Sequence, residues 1–257
     1  MGYNKIIIYG NNIETYEYEK DIIVLGGRRK HKLSFDSGDE SLGALGKDTL
    51  STGQLGKRQD NARRASLAFR RLVGANLGKS PSPLLATLTY GKNFTDLARA
   101  YRHYSSFVQA LRHKYGKDFR YICVPEFQKR GAVHFHALVW GLPSEVFLLE
   151  RKTRILAGLW KQGFVYLKET DGNDKLSFYL SKYMAKAFID SRLKNQKCYV
   201  ASRNVLRPQI LGGSFPLWPI LDDYGVDETP VIDKTYDTNY LKKCRYRLFK
   251  ITTVPLK

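Results

Sequence analysis

Cysteine is scarce in this chain. Only Cys123, Cys198 and Cys244 occur, an odd number with wide spacing and no C-x-x-C pair. That excludes a disulfide framework and a cysteine-built zinc site, and it suits a reducing compartment such as the cytoplasm. Long apolar runs are missing too. No stretch approaches the roughly 18 continuous apolar residues of a membrane span, so no membrane contact is expected. The apolar run within the N-terminal MGYNKIIIYG is too short for a signal peptide, and no cleavage-like segment follows it. A phosphate loop is absent as well. Gly74-Ala-Asn-Leu-Gly78-Lys79-Ser80 imitates one, but only three residues separate its glycines and it runs into Pro81 and Pro83 instead of opening a helix. The chain is therefore not read as an ATPase.

Acidic residues are outnumbered. Asp and Glu total 24 against 43 Lys and Arg, leaving a formal charge of +19. A surface this basic points to a polyanionic partner, because binding phosphates releases their condensed counterions. The competing explanation is a basic protein kept soluble by its charge. Seventeen tyrosines add a second hint, since basic grooves with aromatic platforms suit unstacked single strands. Hydrophobic residues make up 43% of 257, enough for a sizeable core in one large domain or one domain with extensions.

Three regions are expected. Residues 1–57 form an N-terminal extension, with short strands at Ile6–Tyr9 and Ile22–Leu25, a basic run Arg28-Arg29-Lys30, and a flexible Gly/Ser-rich loop over 35–57. Residues 58–210 form the main domain. Residues 211–257 form a C-terminal extension with strand-like pieces and many aromatics, for which the sequence suggests no role. Within the main domain a helix is predicted from Asp60, capped by Asp60 or Asn61. Its basic face carries Arg63, Arg64, Arg70 and Arg71, either a solvated surface or a set of phosphate contacts. Strands are predicted at Leu84–Tyr90, Arg120–Phe127, Val133–Leu142 and Phe164–Lys168. Helices are predicted at Thr95–Tyr115, Ser144–Gln162 and Asp174–Asp190. Strands and helices mix without strict alternation, which implies an α+β fold, a central antiparallel sheet flanked by helices.

His134 and His136 stand two apart on a predicted strand, so both imidazoles share one face and Phe135 points to the other. Glu126 lies on the preceding strand, and turn chemistry decides whether it joins them. A three-residue loop Lys129-Arg130-Gly131 places Glu126 opposite His134, whereas a two-residue loop puts it on the wrong face. Three-residue loops require a left-handed third residue, and Gly131 supplies it. Glu126, His134 and His136 are thus a candidate metal set with open positions for water and phosphate oxygens. It suits Mg²⁺ or Mn²⁺ as Lewis acid, with Zn²⁺ the rival. Gln128 shares the face as a supporting group. Lys129 and Arg130 in the loop join the basic helix residues as candidate DNA contacts.

Tyr179-Leu-Ser-Lys182-Tyr183-Met-Ala-Lys186 is two consecutive Tyr-x-x-Lys units. On a helix these four positions share one face. Leu180, Met184, Ala187 and Phe188 form a separate apolar arc that anchors the helix, which leaves the tyrosines for a cleft. A tyrosine attacks a phosphodiester to leave a covalent phosphotyrosine, and a neighbouring lysine stabilises the developing charge.

Taken together, these motifs resemble the HUH endonuclease superfamily, most closely the rolling-circle replication initiators of plasmids and single-stranded DNA phages. Leu84–Tyr90 looks like the first motif, a strand with no catalytic group. Glu126–His136 looks like the metal motif, and Tyr179–Lys186 like the nucleophile helix. The resemblance covers about residues 58–210. It implies a sheet in which metal strands and tyrosine helix face each other. It also implies cleavage of a single-stranded origin, in a hairpin or melted duplex, leaving a 5′-phosphotyrosine and a 3′-hydroxyl that primes synthesis. Tyr179 is the first choice of nucleophile, because it opens the first complete unit, and Tyr183 the second. Larger members carry a helicase domain. The stretch after Pro208 is too short for one, so a host helicase and polymerase are expected partners, in a bacterial cytoplasm. Alternatives are a single-strand transposase or relaxase of the same superfamily, a non-catalytic single-strand binding protein, and a zinc hydrolase.

Overall fold

The computed structural model describes residues 4–19, 52–78, 81–116, 118–142, 149–226, 229–238 and 242–251. The chain divides into two units. One comprises Met1–Arg64 with Arg207–Lys257, and the other Ala65–Leu206. The predicted strand Ile22–Leu25 and the basic run after it lie outside the described residues.

In chain order the elements begin with β1 (Asn4–Tyr9), β2 (Asn12–Tyr18) and helix α1 (Thr52–Gly74). The loop expected over 35–57 is thus helical from Thr52 onward, and the start expected at Asp60 moves back with it. Extending an existing helix by about two turns carries no new nucleation cost, which lets it run through Gly53 and Gly56 despite their poor propensity. Next come β3 (Leu84–Tyr90), α2 (Leu97–Tyr115), β4 (Arg120–Phe127), β5 (Val133–Trp140), α3 (Leu149–Trp160), β6 (Gly163–Glu169), α4 (Lys175–Ile189) and the short β7 (Val200–Ala201). The chain continues through β8 (Gln209–Gly213), α5 (Trp218–Asp223), β9 (Ile232–Thr238) and β10 (Lys242–Lys250). No helix among the described residues is long and apolar enough to cross a membrane.

The fold is α+β, as the element pattern predicted, with two sheets rather than one. In the Ala65–Leu206 unit a five-stranded antiparallel sheet runs β6-β3-β5-β4-β7. One face is a dry core. Phe135, Ala137 and Val139 of β5, with Ala86 and Leu88 of β3 and Cys123 of β4, pack against Ala100, Tyr104, Phe107 and Leu111 of α2 and Leu156 and Trp160 of α3. Trp160 donates its indole N–H to the Thr89 carbonyl at 3.1 Å, so the largest ring in this core also satisfies its polar atom. Asp96 caps α2, its carboxylate accepting from the Arg99 amide at 3.0 Å. The described part of the phosphate-loop imitation, Gly74–Gly78, is the end of α1 and the turn after it. The Asn76 side chain donates to the Leu72 carbonyl at 2.8 Å and accepts from the Leu206 amide at 2.9 Å, anchoring the chain as it leaves α1.

In the other unit a second antiparallel sheet runs β8-β1-β2-β10-β9. The first and last stretches, read separately in the sequence as two extensions, are therefore partners. Tyr16 pairs with Tyr246, and Ile8 with Gln209. Its core holds Ile6, Ile8, Ile13 and Phe249 with Leu217 and Leu221 of α5. Strand β2 escapes the apolar pattern because it buries polar groups. Glu14 is fully buried and accepts hydrogen bonds from Tyr9 at 2.6 Å and Tyr16 at 3.1 Å, which offset its desolvation.

Candidate functional site

The β4–β5 hairpin sets the site. The Gln128 amide donates to the Ala132 carbonyl at 2.8 Å, closing the loop around Lys129, Arg130 and Gly131. Gly131 takes φ 90°, the left-handed conformation that the third loop position requires. The register is the one the turn chemistry dictated: Glu126 pairs with His134, and Val124 with His136. Glu126, His134 and His136 therefore share the sheet face opposite the α2/α3 core.

On that face Glu126 and His136 are bonded, Nε2 to Oε2 at 2.7 Å. The bond holds the Glu126 carboxyl below its ordinary value, against the opposing effect of burial. The other His136 nitrogen, Nδ1, lies 3.3 Å from the Thr87 hydroxyl. Thr87 pairs with His136 across β3 and β5, so this contact follows from the register. The motif reading gave β3 no role at the site. The signal was the alternation of Thr87 and Thr89 on the polar face of the strand.

The His134 ring centre lies 6.3 Å from that of His136. Its Nε2 is buried without a hydrogen-bond partner. Burial lowers the proton affinity of the ring, with smaller contributions from His136 and Arg130. Among the described residues no three His, Cys, Asp or Glu side chains already meet as a metal cage. The donor set nevertheless fits a cation. A buried, orphaned imidazole nitrogen is costly unless something accepts its lone pair. Beside it an imidazole and a carboxylate spend their best donor atoms on each other. If His136 carries its proton on Nδ1 toward Thr87, its Nε2 lone pair and the Glu126 oxygens are both available to an ion.

Helix α4 brings the tyrosines to this face. Its anchor is the predicted apolar arc, with Leu180, Met184, Ala187 and Phe188 all buried. It packs on β4, and Phe188 meets Phe69 of α1 edge-on at 5.7 Å. Tyr183, exposed like Tyr179 on the same helix, stands perpendicular to His136, ring centres 6.0 Å apart. Tyr179 stacks on the outer side of Tyr183 at 6.3 Å. The tyrosine beside the histidines is thus Tyr183, one helical turn beyond the one that the motif order put first. Burial, the Glu126 charge and Tyr179 push the Tyr183 phenol above its ordinary value. The Lys186 charge acts on Glu126, and both Lys182 and Lys186 are exposed.

The basic residues separate. Arg130 comes to the site, where its charge acts on His134 and its guanidinium donates to Gln128 at 2.9 Å and to the Tyr90 carbonyl at 3.3 Å. Lys129 is exposed at the hairpin tip. On α1, Arg64 is tied back to Asn61 at 2.8 Å and Arg70 lies 4.8 Å over the Phe178 ring. Arg63 and Arg71 are half-buried.

The unit is thus an α+β domain with Glu126, His134 and His136 on paired strands and the Tyr/Lys row of α4 on the same side. Residues 83–188, spanning β3 through α4, match the family model described as Replication-associated protein ORF2/G2P. That stretch contains every residue of the Glu/His/Tyr/Lys set. No curated protein and no solved structure matches the chain.

Proposed function

We propose that this protein is a metal-dependent endonuclease that nicks and rejoins single-stranded DNA through a covalent 5′-phosphotyrosine, and so initiates rolling-circle replication. The observation that carries the reading is Tyr183 standing edge-on to His136, which is itself bonded to Glu126. A hydrolase has no need of a tyrosine there, and a binding protein has no need of the Glu/His cluster beneath it. The family match over 83–188 favours a replication initiator over a transposase or relaxase of similar chemistry.

Glu126, His134 and His136 would hold Mg²⁺ or Mn²⁺. When bound, the ion polarises the scissile phosphate and cancels the carboxylate charge that disfavours a phenolate at Tyr183. The phenol proton passes to solvent, to which Tyr183 is half open. The phenolate oxygen bonds to phosphorus, the P–O3′ bond breaks, and the departing 3′-oxygen takes a proton to become the priming hydroxyl. Lys182 and Lys186 flank the tyrosines with positive charge for the crowded phosphorane. Arg130, with Lys129, Arg63, Arg64, Arg70 and Arg71, would contact phosphates along the strand. Rejoining runs the same steps in reverse, a 3′-hydroxyl attacking the phosphotyrosine and releasing the tyrosine, and Tyr179, one turn away, would be the nucleophile for a second cleavage. Strand separation would fall to a host helicase and extension to a host polymerase.

The test is to incubate the protein with Mn²⁺ and a library of single-stranded oligonucleotides, then sequence whatever remains covalently attached. A common cleavage sequence joined through Tyr183 or Tyr179 supports the proposal. Recovery of no adduct from a library that the protein binds overturns it in favour of a binding protein.

A further inference from the structure

Strand β6 is an edge of the central sheet, and its two faces differ in an unusual way. Val165 and Leu167 point into the core and are buried. The solvent face of such a strand is ordinarily polar. Here it carries Phe164 and Tyr166, 71% and 65% exposed, followed by exposed Lys168. Among the described residues neither ring meets another aromatic ring. Two large rings held in water in one row cost solvation that no core packing repays.

The register says which face this is. Phe164 pairs with Thr89, and Thr89 with His134, which pairs with Glu126. Tyr166 pairs with Thr87, and Thr87 with His136. Both rings therefore stand on the face of the histidines, two strand spacings away, about 10 Å. Positive charge flanks the row at both ends. Lys168 follows Tyr166, and Arg130 donates to the carbonyl of Tyr90, which pairs with Gly163 next to Phe164.

We propose that Phe164 and Tyr166 form a stacking shelf for two successive bases of the single strand whose phosphate is processed at Glu126, His134 and His136. The inference rests on the nuclease reading of that site. Alternate residues of a strand are about 6.8 Å apart, twice the 3.4 Å rise per base of a stacked nucleic-acid strand. Rings at that spacing take bases that have parted from each other, and a stacked duplex cannot offer them. The shelf thus selects single strands by geometry, with little regard to base identity, since every base has a face to stack. Its distance from the histidines puts the stacked bases within a few nucleotides of the reacting phosphate.

The experiment measures binding of a fluorescein-labelled oligothymidine to the full chain by anisotropy, across a salt series, with duplex as control. Phe164→Ala and Tyr166→Ala are each expected to weaken single-strand binding about 5- to 150-fold, the range for removing one base-stacking ring. The slope of affinity against salt should stay unchanged, because the rings neutralise no phosphate. Phe164→Trp and Tyr166→Phe should bind as the unaltered protein does. Both residues are solvent-exposed, so the variants should keep the parent melting temperature. Alanine variants with parental affinity overturn the shelf, as does loss of self-association in those variants with DNA affinity intact. The nuclease reading is scored separately, by covalent adducts of the unaltered protein. Ring-dependent binding without adducts supports the shelf and sinks the nuclease, and adducts with ring-independent binding do the opposite.

Discussion

Replacing Gly131 with alanine tests the link between turn chemistry and site assembly. The added methyl group has room, because its nearest neighbour would be the Thr95 methyl at 3.6 Å, an ordinary contact. The cost comes from the backbone alone. At φ 90° an L-residue is disfavoured by about 1–2 kcal/mol relative to glycine. For a chain of this size, each kcal/mol moves Tm by about 2–4 °C, so a fall of about 2–8 °C is expected in calorimetry. Gly131→Asn, whose side chain tolerates left-handed backbone, should fall less. A hairpin can also relieve the strain by shortening its loop, and a one-residue slip would carry Glu126 to the Phe135 face. Mn²⁺-dependent nicking at a temperature where the variant is fully folded should therefore drop further in Gly131→Ala than in Gly131→Asn. If Gly131→Ala melts with the parent and nicks at the parental rate, positive φ does not hold this register and the reasoning fails.

Four further outcomes are expected. Tyr183→Phe should remove most covalent adduct and Tyr179→Phe much less, while the double variant should form none and bind DNA nearly as before; equal losses in the two single variants would remove the distinction between them. His136→Ala should abolish metal-dependent nicking, and activity that persists undiminished in chelator would argue against a metal at these side chains. Thr87→Val should weaken Mn²⁺ dependence about tenfold, the low end for losing an outer partner of a ligand, since the contact is long at 3.3 Å; a titration that matches the parent would leave Thr87 without a role. In chelator, His134 should make stability depend on pH. Its proton affinity is lowered in the folded state, so the unfolded chain binds more protons below about 6.5. The contribution is whole above that pH and is lost as pH falls through the lowered value. His134→Gln should flatten this part of the melting profile, and a profile identical to the parent would refute the assignment.

The sequence made the centre of the molecule legible because its signals there are local. Strands β3 and β4 have the limits that alternation and flanking residues suggested, and the hairpin register followed from one glycine. Helix α4 was legible because its apolar arc and its Tyr/Lys row occupy different faces. The order of the tyrosines was not, since which turn lies over His136 depends on how the helix seats on β4. The sheet of β1, β2, β8, β9 and β10 was illegible for another reason. Strand β2 reads NIETYEY, and its buried Glu14 and Thr15 hide it from any apolar pattern. Its partner β10 lies more than two hundred residues away, and nothing local announces that pairing. The β6 rings were visible as letters, but their exposure and their row with the histidines appear only once β6 is aligned on β3.

The pairing of β2 with β10 also bears on how the molecule is made. During synthesis the β1–β2 hairpin is made before its remaining neighbours, β8 and β10, which come after the whole stretch that carries Glu126, the histidines and the tyrosines. A lone hairpin is only marginally stable in water. The Ala65–Leu206 unit can settle while the other sheet still waits for β8, β9 and β10. An interruption of synthesis anywhere between Leu206 and β10 would release a fragment with Glu126, the histidines and the tyrosines assembled and the sheet of β1 and β2 unfinished.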